Sequence, residues 1–433
     1  MTPTECDVLV IGGGPAGSTA AALLAERGRD VVLLEKAEHP RFHIGESLLP
    51  LNTAIFDRLG IRDQVAAIGV HKPGAEFVAD DTGRAVQFSF AQGLDQRFTS
   101  SWQVPRADLD HLLFHTAADR GARVYENTRV TAFQPGADRP LVEADGPDGP
   151  QRFAPRFVLD ASGRDTFMAS RLRAKRPNKR NNTAALYAHF HGVERRTGEH
   201  EGYISVHLAQ DGWFWMIPLP NDVMSVGFVG NPAAFKTTGG TPSDRLLARI
   251  QAAPTVRDRM RGATLVSDVV GTGNYSYDSD RAHGDRFLMI GDAFAFLDPV
   301  FSSGVLLAMT SGEMGADVAD TWLADPAAGR AKAVRMERDI RRAMRRLAWL
   351  VYRINTPALR FLFLQPSNRF RMRDGLVSLL AGNLRGSWNQ VGPVLAFKSA
   401  YYFVSVLARI GLLPPARPEP RRAAAEGLLL DAG

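Results

Sequence analysis

The 433-residue sequence predicts an α/β chain: a Rossmann-like dinucleotide-binding fold, interrupted by an inserted antiparallel β-sheet domain and followed by a C-terminal helical region. Three observations predict it. Residues 7–36 read strand, glycine turn, helix, strand. Residues 185–275 turn into short runs rich in β-branched and aromatic residues, and from about residue 303 the pattern is helical.

The first unit runs DVLVI, GGGPAGS, TAAALLAERG and RDVVLLEK. Gly28 suits the position just past a helix end, and the second apolar run is short and β-branched. VPRADLDHLLFHTAADRG (104–121) carries apolar positions at helical spacing and leads into the strand-like ARVYENTRVTAF. RFVLDA reads as a strand ending in Ser162-Gly163. YISVHL, GWFWMIPL and VMSVGFVG supply the antiparallel sheet, and RFLMI at 286–290 returns to a buried core strand. PPARPEPRRAAAEG reads as a flexible tail. The expected division is residues 1–165 and 280–330 for the dinucleotide-binding domain, 166–279 for the inserted sheet, 331–413 for the helical region and 414–433 for the tail.

Composition narrows the function classes. Apolar residues make up 45% and charged residues 23%, an ordinary globular balance. A lone Cys6 rules out an intramolecular disulfide, a structural zinc site and a thiol redox pair, and it fits a reducing cytosol. No metal site is expected. No basic leader or cleavage pattern precedes the first strand, so a cytoplasmic protein is expected. The uncharged run Val8 to Ala25 is broken by Gly12-Gly13-Gly14-Pro15 and is not a membrane span. The net charge of +6 is modest, and no nucleic-acid partner is expected. From Gly329 to Gly375, however, thirteen Lys/Arg face three Asp/Glu. Such a block is either a solvated helix face or a surface for an acidic partner or membrane.

Gly12-x-Gly14-x-x-Gly17 lies between the first strand and helix. The first glycine permits a tight turn, the second lets backbone approach a pyrophosphate, and the third lets helix and sheet pack closely. The helix start then offers free N–H groups to phosphate. Glu35 closes the second strand at the distance expected for an acceptor of adenosine ribose hydroxyls, which favours FAD or NAD over NADP. Gly291-Asp292 ends a core strand, where an aspartate suits a ribityl hydroxyl.

Together the GGGPAGS start, the LDASGR strand end and the GDAFAFLDP segment resemble the FAD-binding family of aromatic hydroxylases, prenyl reductases and flavin-dependent halogenases. The resemblance spans roughly residues 5 to 330. It implies cofactor contacts from Arg106 and from Ala16, Ser18, Lys36, Arg41 and Ser47, with Asp160-Ala161-Ser162-Gly163 supporting the flavin.

Three features look like the halogenases. Trp213-Phe214-Trp215-Met216-Ile217-Pro218 fits W-x-W-x-I-P, although two tryptophans at i and i+2 also share a sheet face by simple alternation. In that family the segment is thought to keep a bound flavin from acting directly on substrate. Lys72, in VHKPGA downstream of FHIGES, matches the family's catalytic lysine; on its own it reads as a solvated turn residue. An amine there can capture hypohalous acid, and an ammonium can polarise it. Ser303 and Gly304 align with the halide-binding pair, in a turn whose N–H groups enter a helix, and Val305 follows against the flavin. An ordinary N-cap serine is the compatible alternative.

Phe301 departs from the tryptophan-specific branch, which carries a catalytic glutamate two positions before the aligned Ser/Thr. The resemblance therefore implies a phenol or pyrrole, free or tethered to an acyl carrier protein, halogenated with chloride or bromide by FADH2 from a separate flavin reductase and O2. Rival readings are an aromatic hydroxylase or prenyl reductase, and a non-catalytic flavoprotein. Arg335, Arg338, Arg341, Arg342, Arg345 and Arg346 cluster on one predicted helix as a candidate carrier-docking face. A peripheral membrane contact through Trp349, Phe361 and Phe363 is the alternative there.

Overall fold

The computed structural model describes residues 2–178, 183–235, 239–273, 276–296, 300–383 and 388–412. The predicted tail at 414–433 lies outside the described residues, as do Leu297, Asp298 and Pro299 of the GDAFAFLDP segment. A parallel sheet forms the first layer. Its strands run side by side in the order Phe287–Met289, Gly149–Asp160, Thr4–Ile11, Val31–Leu34 and Arg123–Tyr125. The central strands are uniformly apolar because both faces are covered: Val8, Leu9, Val10, Val31, Val32 and Leu33 are all buried.

Register does the positioning. Ile11 lies opposite Leu34 on one side and Asp160 on the other, and Asp160 lies opposite Met289. The residues that follow (Gly12, Glu35, Ala161 and Ile290-Gly291-Asp292) therefore emerge together at the carboxyl end of the sheet. This is where open α/β sheets bind ligands. The helix Pro15–Glu26 starts there with proline in its first turn, and Gly28 follows its end at φ +76°. It packs along the helix Gly304–Ala324, so closely that a Cβ on Gly312 would come within 2.4 Å of the Ala16 carbonyl oxygen.

The second sheet holds Ala184–His191, Met224–Gly230, Gly212–Pro218 and Ile204–Leu208 in antiparallel order, as the β-branched runs predict. It also takes up Gly74–Ala79 and Ala85–Ser89 from far upstream, through a parallel pairing of Gly74–Ala79 with Ile204–Leu208. Alternation splits its faces. Phe214 and Met216 pack under the helix Pro242–Ala252, whereas Trp213, Trp215 and Ile217 turn toward the first layer and the C-terminal helices.

The C-terminal region is helical: Pro326–Val351, Pro357–Leu364, Met372–Leu380 and Trp388–Arg409. The three aromatic residues offered as an alternative membrane contact pack to different extents on the interior. Phe363 is fully buried against Phe77, Phe88, Phe301 and Phe397, and Phe361 packs partly buried on the same core. Trp349 donates to the Tyr402 hydroxyl at 3.1 Å with its ring against Tyr401. The last helix lies inside the expected helical region. Val391–Arg409 is long and apolar enough to cross a membrane, with mean hydropathy 1.4, and Phe403 and Val406 on it are exposed.

Candidate active site

A cavity of about 660 Å³ opens between the carboxyl end of the parallel sheet and the tryptophan face of the second sheet. Gly12, Gly14 and Ala16 line it at one end, with Glu35, Lys36 and Arg41 beside them. Trp213, Trp215 and Ile217 line the other end, and Ser47, Arg106, Asp292, Gly304 and Val305 lie in its wall. Segments separated by hundreds of residues thus meet around one space.

The glycine turn has the mechanical properties its spacing predicts. Gly12 adopts φ +103°, and a Cβ there would sit 2.4 Å from the Ala161 carbonyl oxygen. A Cβ on Gly17 would sit 1.9 Å from the Gly12 carbonyl oxygen, so this position is closed by packing rather than opened to ligand. Gly14 is the reverse: a Cβ would meet only an Arg41 nitrogen at 3.9 Å, which leaves its backbone open to the cavity. Ser18 turns inward and donates to the Gly13 carbonyl oxygen at 2.9 Å.

Glu35 is buried, and its Oε2 accepts the Gly13 N–H at 2.8 Å while Oε1 accepts that of Ala37 at 3.0 Å. Arg41 reaches the same carboxylate at 3.4 Å, and Lys36 pairs with Asp165. Arg106 forks onto Asp110 at 2.9 and 3.0 Å and donates to the Ile44 carbonyl oxygen at 2.7 Å, which fixes the FHIGES loop above the cavity. Asp160 does not face the cavity. Its two oxygens accept the N–H groups of Ser162 and Met168, so it shapes the loop that carries Ala161 and Gly163. Asp292 opens on the cavity while protein surrounds it, and that burial pushes its carboxyl up to about 6. Open backbone at Gly14, a carboxylate at the end of the second strand and Asp292 across the cavity fit a dinucleotide such as FAD, with phosphates at the helix start.

Lys72 lies toward the other end. It is not a solvated turn residue: it is 1% exposed, on the strand Val70–Lys72 paired with Ser101–Gln103. Ser47 bridges to the same Gln103, so FHIGES and VHKPGA share a small sheet. The Lys72 ammonium donates to the Ser47 hydroxyl and to the Leu48 carbonyl oxygen, both at 2.7 Å, and Phe90 lies beneath it at 5.5 Å. Burial pulls its pKa down to about 7. Lys72 does not itself line the cavity; Ser47 stands between them.

Ser303 precedes the helix Gly304–Ala324, but its hydroxyl makes no capping bond, so the N-cap alternative does not hold at the side chain. Ser302 before it adopts φ +56°, which turns the chain into the helix. Ser303 borders a small adjoining cavity of about 20 Å³ rather than the main one, and a Cβ on Gly304 would meet nothing nearer than Phe296 at 4.0 Å. Phe301 is packed between Phe77 and Phe363 and turns away from the cavity, and Pro218 is likewise not in its wall. Trp215 donates to Ser225 Oγ at 3.2 Å and lies 5.7 Å from the Tyr187 ring.

His43 and Glu46 are among the wall residues that the sequence motifs did not single out. His43 hydrogen-bonds the Ile44 carbonyl oxygen, and its pKa falls to about 4, chiefly through burial and then through Arg106. Glu46 is paired with His189 at 2.7 Å. Both stand inside the quoted FHIGES run, which was the available signal. Among the described residues no group of three or more His, Cys, Asp or Glu is placed to hold a metal.

Comparison with known proteins adds to this geometry. The FAD binding domain family matches residues 5–333. The tryptophan 2-halogenase of Chondromyces crocatus is 36% identical over 323 residues, 72% of this chain and 61% of that protein, so the chain spans less than two thirds of that relative. A flavoprotein/dehydrogenase of Cytophaga hutchinsonii superposes with a TM-score of 0.84 at 29% identity, covering 94% of this chain and 98% of the other. The myxobacterial chondrochloren halogenase, described as a variant of FAD-dependent halogenases, gives a TM-score of 0.78 at 30% identity, with 96% and 99% covered. With an FAD-binding match over most of its length and a halogenase relative aligned almost end to end, the chain belongs to the family of FAD-dependent halogenases.

Proposed function

We propose that the chain halogenates an electron-rich aromatic substrate with chloride or bromide, using reduced FAD delivered by a separate flavin reductase and O2. The observation that carries this reading is the single cavity. One wall is the dinucleotide turn, the other is the Trp213-Trp215-Ile217 face, and Lys72 lies one hydrogen bond behind it through Ser47. Reduced FAD with O2 supplies the two-electron oxidising power that converts halide to hypohalous acid.

The chain's own residues do the rest. Gly12, Gly14 and the start of the helix Pro15–Glu26 hold the phosphates, and Glu35 and Asp292 accept from sugar hydroxyls. The backbone around Ser303-Gly304, at the start of the 21-residue helix, attracts halide. The tryptophan face covers the space where substrate lies and excludes water from it. Lys72, with a pKa near 7, holds both protonation states at neutral pH. Its ammonium polarises hypohalous acid through the Ser47 hydroxyl, and its amine captures the halogen once Ser47 turns aside.

Phe301, packed away from the cavity, leaves that wall without the carboxylate of the tryptophan branch, which favours a phenol or pyrrole. The name of the Chondromyces relative favours a second reading, an indole. A tethered substrate is a third element of the proposal: Arg335, Arg338, Arg342 and Arg345 are exposed along one stripe of the helix Pro326–Val351, open to an acidic carrier protein. The test is turnover with a flavin reductase, O2 and either halide on free phenol, pyrrole and indole and on carrier-bound arenes, followed by product mass. Halide-dependent mass gain supports halogenation. Oxygen addition without halide supports a hydroxylase, and no oxygen consumption supports a non-catalytic flavoprotein.

A further inference from the structure

Glu46 is a buried carboxylate that the reading above leaves without a task. It is 1% exposed and lines the cavity between Gly45 and Ser47, the residue that holds Lys72. Its Oε1 accepts from His189 Nε2 at 2.7 Å, from the strand Ala184–His191 of the second sheet. Its Oε2 is buried and has no hydrogen-bond partner. A buried acceptor left unsatisfied is costly, and more so when charged, so the orphan oxygen points to a donor arriving with a ligand.

The other carboxylates in the wall are placed differently. Glu35 accepts backbone N–H groups, Asp110 is forked by Arg106, and Asp165 is paired with Lys36. Asp292 lies beside the glycine-turn end, next to Gly291 and across from Ala16. Among the described carboxylates of the wall, only Glu46 combines an unpartnered buried oxygen with the aromatic end, where Tyr187, Trp213 and Trp215 share the same wall.

We propose that Glu46 Oε2 is the acceptor and base for an O–H or N–H carried by the aromatic substrate, so that the substrate class is a phenol or an N–H heteroarene. This rests on the halogenation reading, and His189 is the positioning residue that fixes the carboxylate through Oε1. For a phenol, a ring carbon attacks the halogen of hypohalous acid. The carbon–halogen bond forms, and the oxygen–halogen bond breaks with its electron pair passing to oxygen. That oxygen takes a proton from the Lys72 ammonium by way of Ser47 and leaves as water. The phenol O–H proton passes to Glu46, giving a neutral halodienone rather than a cation. The ring C–H proton then goes to the Lys72 amine and Glu46 returns its proton to the substrate oxygen, so both groups are reset. The net change is arene plus hypohalous acid to haloarene plus water.

The test uses the FAD-loaded protein with a reductase and halide, a 1,3-diketone trap for released hypohalous acid, and paired substrates: a phenol against its methyl ether, and an indole against N-methylindole. The reference is the same preference measured with hypohalous acid in buffer. Wild-type protein is expected to exceed that reference preference for the O–H or N–H partner by about 10²-fold, the lower end of general-base effects. Glu46→Gln is expected to collapse the preference to the reference while trapped hypohalous acid and FAD absorbance are retained, and His189→Gln to reduce it partly. A wild-type preference equal to the reference overturns the proposal, whether or not either variant folds. So does a Glu46→Gln protein that keeps the preference. Absence of trapped hypohalous acid and of haloarene in wild type overturns the halogenation reading, and this proposal with it.

Discussion

At the glycine-turn end of the cavity the ligand-facing groups are largely backbone, placed by the register of four parallel strands. At the aromatic end they are side chains drawn from FHIGES, VHKPGA, the strand Ala184–His191 and the strand Gly212–Pro218. The first kind of site tolerates few changes of residue type but depends on short-range pattern. The second depends on which distant segments the fold brings together. A site of the first kind can be built once and reused, and the chemistry can then be changed by altering the second.

Substitutions sharpen this contrast. The largest effect is expected for Lys72→Ala. Product haloarene should fall by about 10² to 10⁴-fold while FAD binding and reductase-driven oxygen uptake continue, read by product mass beside an oxygen electrode. Wild-type haloarene formation by that variant would remove Lys72 from the chemistry. Next come two glycines of one turn with opposite roles. Gly17→Ala places a Cβ 1.9 Å from the Gly12 carbonyl oxygen and should destabilise even FAD-free protein by about 1–3 kcal/mol. Gly14→Val, with open space before it, should leave FAD-free thermal stability nearly unchanged and weaken FAD binding. Equal loss of stability in the two variants would break the distinction between packing glycine and ligand glycine.

A pH-dependent effect comes from the titration of Lys72. Its pKa is near 7 in the folded chain against an ordinary 10.5, so the unfolded chain binds the extra proton between those values. Stability from this group therefore rises with pH from about 7 to 10.5 and is flat below, and Lys72→Met should remove that rise. Melting curves of both proteins across that range check it. The smallest effect concerns the basic helix. Arg341 is held by Glu337, Asp278 and the Ser279 carbonyl oxygen, with Phe294 under its guanidinium, so Arg341→Ala should lower stability. The exposed Arg338 should cost less than about 0.5 kcal/mol when replaced by alanine, and lower only carrier affinity at low salt. Unchanged affinity for an acidic carrier would count against docking there.

The same contrast explains what the sequence made legible. The strand–turn–helix at 7–28, Glu35 and the Trp213–Trp215 alternation follow from local periodicity and steric rules, and they stand where those rules put them. Lys72 on its own residues reads as a solvated turn, and only the family motif gave it a buried role; what places it is the pairing of Val70–Lys72 with Ser101–Gln103, a contact across about thirty residues of sequence. Glu46 was hidden for the same reason: its partner His189 lies on the other sheet. Arg341, read as one of six equivalent arginines, became a strut only when Asp278 folded against it.

Pro73 is the only residue between the strand that carries Lys72 and the strand Gly74–Ala79, which belongs to the second sheet. The amine thus sits at a hinge with almost no slack, anchored on one side to Ser47 and on the other to Ile204–Leu208 through strand pairing. A one-residue link leaves the backbone of Lys72 little room to shift independently of Gly74–Ala79. The place of the amine is therefore set jointly by the small sheet it shares with Ser101–Gln103 and by the second sheet that begins one residue later.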